Sequence, residues 1–239
     1  MQSTQTTAMP ALTNGHARPM RITIIDDHAL FAESVALTLE SEGYLVRRID
    51  LTDERTTLAT VLAATLRGAP RVVLLDLDLG RVGDGMRLIA PLASAGVAVV
   101  VVTGSSDRPR RGECLRRGAK AVLVKTCPLQ EVVTTVRRAR DGLPLMSAQE
   151  RGSLIELALQ DRDDVRDIRS RLDRLTRREM EVLGALMRGD QVRDIARASV
   201  VSEATVRTQV KSILAKLEMS SQLAAVGAAY KVGWHPPAD

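Results

Sequence analysis

RVVLLDLDLGRVGDG, residues 71–85, is the stretch that decides the fold. A nearly unbroken apolar run leads into Asp76, and Gly80, Gly83 and Gly85 then turn the chain into a loop. Continuous apolar side chains bounded by glycines read as a strand buried on both faces, as in parallel sheets. In an open α/β sheet, ligands bind beyond the carboxyl ends of the strands. Asp76 stands at that end, and an acid so placed reads as a phosphate acceptor.

Working outward, RITII (21–25) is a strand that runs into Asp26 and Asp27. Residues 28–43 have helical apolar spacing and stop at Gly43. Strands follow at 44–49, 97–103 and 120–125, and helices at 54–68, 84–94, 108–117 and 128–142. The last of these starts at Pro128 and ends at Gly142, the usual asymmetry of helix ends. Five strands alternating with five helices predict a doubly wound, five-stranded parallel sheet. Residues 143–175 are strongly charged, with Leu154, Ala158, Val165, Ile168, Leu172 and Leu175 in alternating steps of three and four, broken by Asp161. That is an amphipathic helix, either a connector lying on its neighbours or a short coiled-coil seam of a dimer. The rest is all α, with four short helices at 176–189, 191–198, 203–217 and 220–231. Thr176 and Glu179 form a capping box at the start of the first, and Ser202 is the N-cap of the third.

Composition limits the classes of function. Of 239 residues, 45% are hydrophobic but only 2% aromatic, so the core is built from Val, Leu, Ile and Ala. At 26% charged the chain has enough apolar content to fold. The net charge of +5 fits an acidic partner such as nucleic acid without identifying one. Cys114 and Cys127 have neither disulfide nor metal-ligand spacing and read as small apolar residues in a reducing, cytoplasmic setting. No apolar run reaches the roughly 18–20 residues of a membrane span. The N-terminal sequence MQSTQTTAMPALTNGHARPMR lacks the apolar core of a secretory signal, and residues 1–19 are expected to form a disordered tail.

The strand ends bring a set of groups to one crevice: Asp26 and Asp27 from the first strand, Asp76 from the third, Thr103 from the fourth and Lys125 from the fifth. Three carboxylates together raise each other's proton affinity. A hard divalent cation relieves that repulsion, and Mg²⁺ takes a few carboxylates together with water and phosphate oxygens. A carboxylate can attack phosphorus to give an aspartyl phosphate. A lysine and a hydroxyl can bind the new phosphate oxygens.

IIDDHALFAES, VVLLDLDLGRVGDGM, VVVVTGSSD and GAKAVLVKTCPLQEVVTTV resemble the signature segments of response-regulator receiver domains, which have a flavodoxin-like fold. The resemblance covers roughly residues 21–142. It implies phosphorylation of Asp76 by a sensor histidine kinase, with Mg²⁺ held by Asp26, Asp27, Asp76 and the backbone carbonyl of Asp78. It also implies that Thr103 and Lys125 contact the phosphoryl group. His28 is read as a helix N-terminal residue and not a ligand. The sequence departs from the family at Val122, where receivers usually carry an aromatic that moves with the threonine. The signal is therefore expected to pass through the helix at 108–117 or the linker.

On the helix at 203–217, Val206, Val210, Ile213, Leu214 and Leu217 share one face, while Arg207, Thr208, Lys211 and Ser212 lie on its flank or opposite side. A short helix, a three-residue turn and a second helix with a basic outer face make a helix-turn-helix. The block LTRREMEVLGALMRGDQVRDIARASVVSEATVRTQVKSILAKLEMSSQLAAV resembles the LuxR-type DNA-binding domain. That makes 203–217 the recognition helix, with Arg207, Thr208, Lys211 and Ser212 the candidate contacts to double-stranded DNA, and 220–231 a dimer contact. Gln209 stands where that family often has histidine.

The whole chain thus resembles a NarL/FixJ-type response regulator: tail 1–19, receiver 20–142, helical linker 143–172 and DNA-binding domain 173–239. A homodimer reading two half-sites is expected, acting as a regulator and not an enzyme. A regulator with the same DNA-binding domain that works without phosphorylation is an alternative supported by Val122. A phosphatase of the haloacid-dehalogenase type, suggested by the DxD at 76–78, fits poorly. There the DxD opens the fold and the acid pair comes last, whereas Asp26-Asp27 comes first here.

Overall fold

The computed structural model describes residues 19–236; the expected tail, apart from Pro19, lies outside the described residues. The described residues divide into two compact units, with the boundary between Leu154 and Ile155.

The first unit has strands β1 (Arg21–Ile25), β2 (Leu45–Arg48), β3 (Val72–Leu75), β4 (Ala98–Thr103) and β5 (Ala121–Val124). They form one parallel sheet in the order β2-β1-β3-β4-β5. Between them run helices α1 (Ala29–Ser41), α2 (Leu58–Arg67), α3 (Met86–Ser94) and α4 (Arg108–Arg116), and α5 (Leu129–Arg140) follows β5. The order reverses between β1 and β3, so right-handed crossovers put α1 and α5 on one face and the other helices on the opposite one. Ile22, Ile24, Val72, Leu74, Val100, Val102 and Leu123 pack with Val35 and Leu39 of α1 and Val132, Val133 and Val136 of α5. Residues of the other parity, including Val73, Leu75, Val99, Val101 and Val122, are also buried. Burial on both faces is why these strands read as continuous apolar runs and not as alternation.

Helices α2 and α3 start later than the sequence spacing predicts. The helix expected from residue 54 starts at Leu58, because Thr57 and Thr60 close a capping box there. The helix expected from residue 84 is preceded by a 3₁₀ turn at Gly80–Val82 and starts at Met86, whose amide donates to Asp84 Oδ1 at 2.9 Å.

Helix α6 (Ala148–Leu172) is the long charged segment. Its start is fastened to the first unit: Arg151 donates to the carbonyls of Ala119 (3.1 Å) and Leu115 (3.2 Å), and Glu150 faces Arg111 at 3.8 Å. In the second unit Leu172 and Leu175 are buried in the core, and Val165 and Ile168 pack against it. This much of the apolar stripe packs within the second unit. Asp161, the charge that breaks the stripe, meets Lys231 at 2.9 Å.

The rest of the second unit is α7 (Arg177–Met187), α8 (Val192–Ala198), α9 (Glu203–Leu217) and α10 (Gln222–Lys231). Among the described residues no helix is long and apolar enough to cross a membrane. Glu179 ties two of these elements, α7 and α9. Its Oε2 accepts from the Thr176 amide (2.7 Å) and from Lys216 Nζ (2.6 Å), and its Oε1 from the Ser212 hydroxyl (2.5 Å). It thus caps α7 and holds α9 by two side chains. Burial alone would raise its pKa, but the hydrogen bonds from Lys216, Ser212 and Thr176 outweigh that and hold it at about 2 against the ordinary 4.5.

A group whose folded pKa is depressed stabilises the fold above its unfolded pKa, and that stability is lost as pH falls through the folded value. Glu179→Gln should therefore cost the second unit about 2 kcal/mol at pH 7, allowing for solvent screening at Lys216. The difference from wild type should shrink as pH falls from about 4.5 towards 2, where the native carboxylate also protonates. Denaturant unfolding of both proteins at pH 7 and pH 3, followed through Trp234, checks this.

Candidate functional site

The sheet register assembles the acidic site. Ile25 pairs with Leu75 and Leu75 with Val101, and the Asp76 amide donates to the Ile25 carbonyl at 2.8 Å. Asp26 and Asp76 therefore leave neighbouring strands at the same level. On the other side, the Lys125 amide donates to the Thr103 carbonyl at 2.8 Å, which seats Lys125 beside β4. Asp76 (3% exposed) and Thr103 are buried, Asp26 is nearly so, and Asp27 is at the rim.

Lys125 is the hub. Its Nζ donates to Asp26 Oδ1 at 2.8 Å and to Asp76 Oδ2 at 2.6 Å, and sits 5.2 Å from the centre of the Phe31 ring. Burial alone would lower the pKa of Lys125, but the two carboxylates outweigh it, so the ammonium titrates above its ordinary value. Burial raises the Asp26 carboxyl above the usual range, against the opposing pull of Lys125 and of the His28 amide. The two oxygens of Asp76 differ in environment. Oδ1 accepts from the amides of Leu77 (2.7 Å) and Asp78 (3.3 Å), while Oδ2 is on the Lys125 side. Gly85 is obligatory here, because a Cβ at that position would collide with the Asp76 carbonyl oxygen.

His28 departs from the sequence reading. It does precede α1 as its N-cap, but its ring joins the site, with Nδ1 at 2.8 Å from Asp27 Oδ1 and 3.1 Å from Lys125 Nζ. Asp26, Asp27, His28 and Asp76 each bring one ligand atom within 4.8 Å of the others, a donor set fit for a cation. The sequence signal for this was the position of His28 directly after the acid pair. Asp78, the second acid of the DxD, turns its side chain onto the Gly80 amide at 3.1 Å. That is a turn-forming contact, and it leaves the side chain no evident part as a second catalytic acid. The Thr103 hydroxyl accepts from the Ser105 amide at 3.1 Å and lines a cleft of about 440 Å³ with Asp76, Asp84, Arg110 and Lys125. The sequence reading missed Asp84 and Arg110, which no motif marks.

In the second unit, Val206, Ile213 and Leu217 of α9 are buried, with Val210 and Leu214 packed beside them. Arg207, Thr208 and Lys211 are exposed on the outer side. Arg207 pairs with Glu203 at 3.0 Å, and the Thr208 hydroxyl donates to the Ala204 carbonyl at 3.0 Å. Ser212, read as a candidate contact on the flank, instead faces inward to Glu179. A step of one residue around the helix from Lys211 decides this, and the spacing alone did not. The turn before α9 contains Val200 at φ 53°, a left-handed conformation that a β-branched residue rarely adopts.

Two family models match the chain: the response regulator receiver domain over residues 22–137, and the bacterial regulatory proteins of the luxR family over residues 173–229. Among curated proteins, it is 28% identical over 205 residues to the transcriptional regulatory protein YhcZ of Bacillus subtilis, covering 85% of this chain and 92% of that one. It is 29% identical over 203 residues to BvgA of Bordetella pertussis, described as a putative positive transcription regulator of virulence factors, covering 84% and 92%. Among solved structures, the response regulator RcsB of Salmonella typhimurium aligns over 90% of this chain and 99% of that one, at 19% identity and a TM-score of 0.48.

Lys125→Ala removes the cation between two buried carboxylates. It should lower the unfolding free energy by about 3 kcal/mol at neutral pH, the usual cost of leaving buried charge unpaired. Urea denaturation measures this, and stability equal to wild type would show that the acids are neutralised in some other way.

Proposed function

The chain belongs to the response regulators of the NarL/FixJ type, a receiver domain followed by a LuxR-type DNA-binding domain, and from that premise we propose that phosphorylation of Asp76 controls its binding to DNA. It is a transcriptional regulator and not an enzyme. In this reading residues 20–142 are the receiver, 143–172 the helical linker and 173–239 the DNA-binding domain, and the protein works in the cytoplasm as a homodimer.

The observation that carries the reading is the asymmetry of the Asp76 carboxylate. Two backbone amides fix Oδ1, which leaves Oδ2 turned to Lys125. Oδ2 attacks the phosphorus of a phosphohistidine on a sensor kinase. The new O–P bond forms as the P–N bond breaks, and the histidine nitrogen keeps the electron pair. Lys125 and Thr103 bind phosphoryl oxygens, and Lys125 also orients the nucleophile. Asp26, Asp27 and Asp76, with the Asp78 carbonyl, are the residues that would hold Mg²⁺, and their oxygen donors suit it. When bound, the cation neutralises charge on the transferring group. In the second domain, Arg207, Thr208 and Lys211 present the exposed polar side of α9 to the major groove and the phosphates. A second reading, regulation without phosphorylation, draws on Val122, which is small and buried where a moving aromatic would stand.

Incubation with a small phosphodonor and Mg²⁺ separates the two. Wild type should gain one phosphoryl group by mass and Asp76→Asn none; no gain by wild type would favour the second reading. On a selected operator, Lys211→Ala should weaken binding and reduce the salt slope by about one unit. A base-reading Arg207→Ala should lose roughly 1–3 kcal/mol at a single base pair. Unchanged affinity of the double variant would remove α9 from the interface.

A further inference from the structure

The cleft above Asp76 has a second basic wall. Arg110, from the first turn of α4, lines it as Lys125 does. Its guanidinium Nη2 donates to Asp84 Oδ1 at 3.2 Å, and the pair is open to solvent, with side chains 40% and 46% exposed. Such a pair contributes little stability and exchanges easily. Arg110 Nε is buried and has no hydrogen-bond partner among the described residues. The helix end adds a second observation. Arg108, Arg110 and Arg111 all stand in the first turn of α4, which contains no acid beyond the N-cap Asp107. Cations there oppose the positive end of the helix dipole, and an anion in front of the turn reverses that penalty.

We propose that Arg110 is a phosphoryl-binding residue of this protein, with Asp84 as its resting partner. The inference rests on Asp76 being the phosphorylation site. A phosphoryl group on Asp76 offers more charge and more acceptor oxygens than the Asp84 carboxylate, which also accepts from the Met86 amide. The guanidinium fork suits phosphate oxygens in pairs. When Arg110 changes partner it pulls on the first turn of α4, and the adjacent Arg111 faces Glu150 of α6. This gives α4 a way to report the charge without the aromatic that Val122 replaces.

The test uses the full chain with Mg²⁺ and beryllium fluoride, a noncovalent mimic of the phosphoryl group, with occupancy read by fluorine NMR. Arg110→Ala should raise the half-saturating concentration about tenfold to a hundredfold, the span for a hydrogen bond between charged groups. Arg110→Lys should fall between, keeping the charge and losing the fork. Asp84→Asn should tighten binding severalfold, and only while Arg110 is present. Equal binding by Arg110→Ala and wild type would overturn the proposal, as would an equal effect of Asp84→Asn in the Arg110→Ala background. If Arg110→Ala fails to fold, Arg110→Lys and Asp84→Asn alone decide. Failure of the underlying reading looks different: wild type would not bind the mimic, or Asp76→Asn would bind it equally well.

Discussion

The Lys125 ammonium between Asp26 and Asp76 is the interaction on which the first unit's chemistry depends. Two carboxylates leave adjacent parallel strands at one level, and burial disfavours charge on Asp26. Lys125 comes from the far side of the sheet, two strands from Asp76, and contacts both within 2.8 Å. The site therefore exists only when β1, β3, β4 and β5 are in register. A phosphoryl group on Asp76 would arrive where a fixed positive charge already stands, and the groups around that charge would rearrange as it is shared.

The second unit repeats the theme with the opposite sign. One buried acid, Glu179, gathers a helix cap, a hydroxyl and an ammonium, and so fixes the start of α7 and the middle of α9 together. Because Ser212 and Lys216 are spent on this contact, the outward side of α9 is left to Arg207, Thr208 and Lys211. The residues that hold the helix and those proposed to contact DNA are thus separated by the helical period.

Surface arginines carry much of the remaining polar structure. Arg151 closes the carbonyls at the end of α4 and before β5, Arg111 faces Glu150, and Arg110 leans over the cleft onto Asp84. These contacts surround α4, whose sequence RPRRGECLR has too little apolar periodicity to explain its position. Packing of Cys114 and Leu115, both buried, anchors the helix from beneath, and burial pushes the Cys114 thiol up to about 12.

By itself the sequence determined the alternation of strands and helices, the parallel sheet, the acids at the strand ends and the helix-turn-helix. Each rests on local periodicity or on residues adjacent in the chain, such as Asp26-Asp27, DLDLG and the Thr176–Glu179 box. Only the tertiary structure decided what depends on distant residues meeting. That includes the His28 ring entering the acidic site, Ser212 turning to Glu179, Asp161 of α6 meeting Lys231 of α10, and Arg110 reaching Asp84. In each case one turn of a helix or one rotamer chooses between solvent and a partner far away in sequence. Spacing along one element carries no information about the side chain that another element places opposite it.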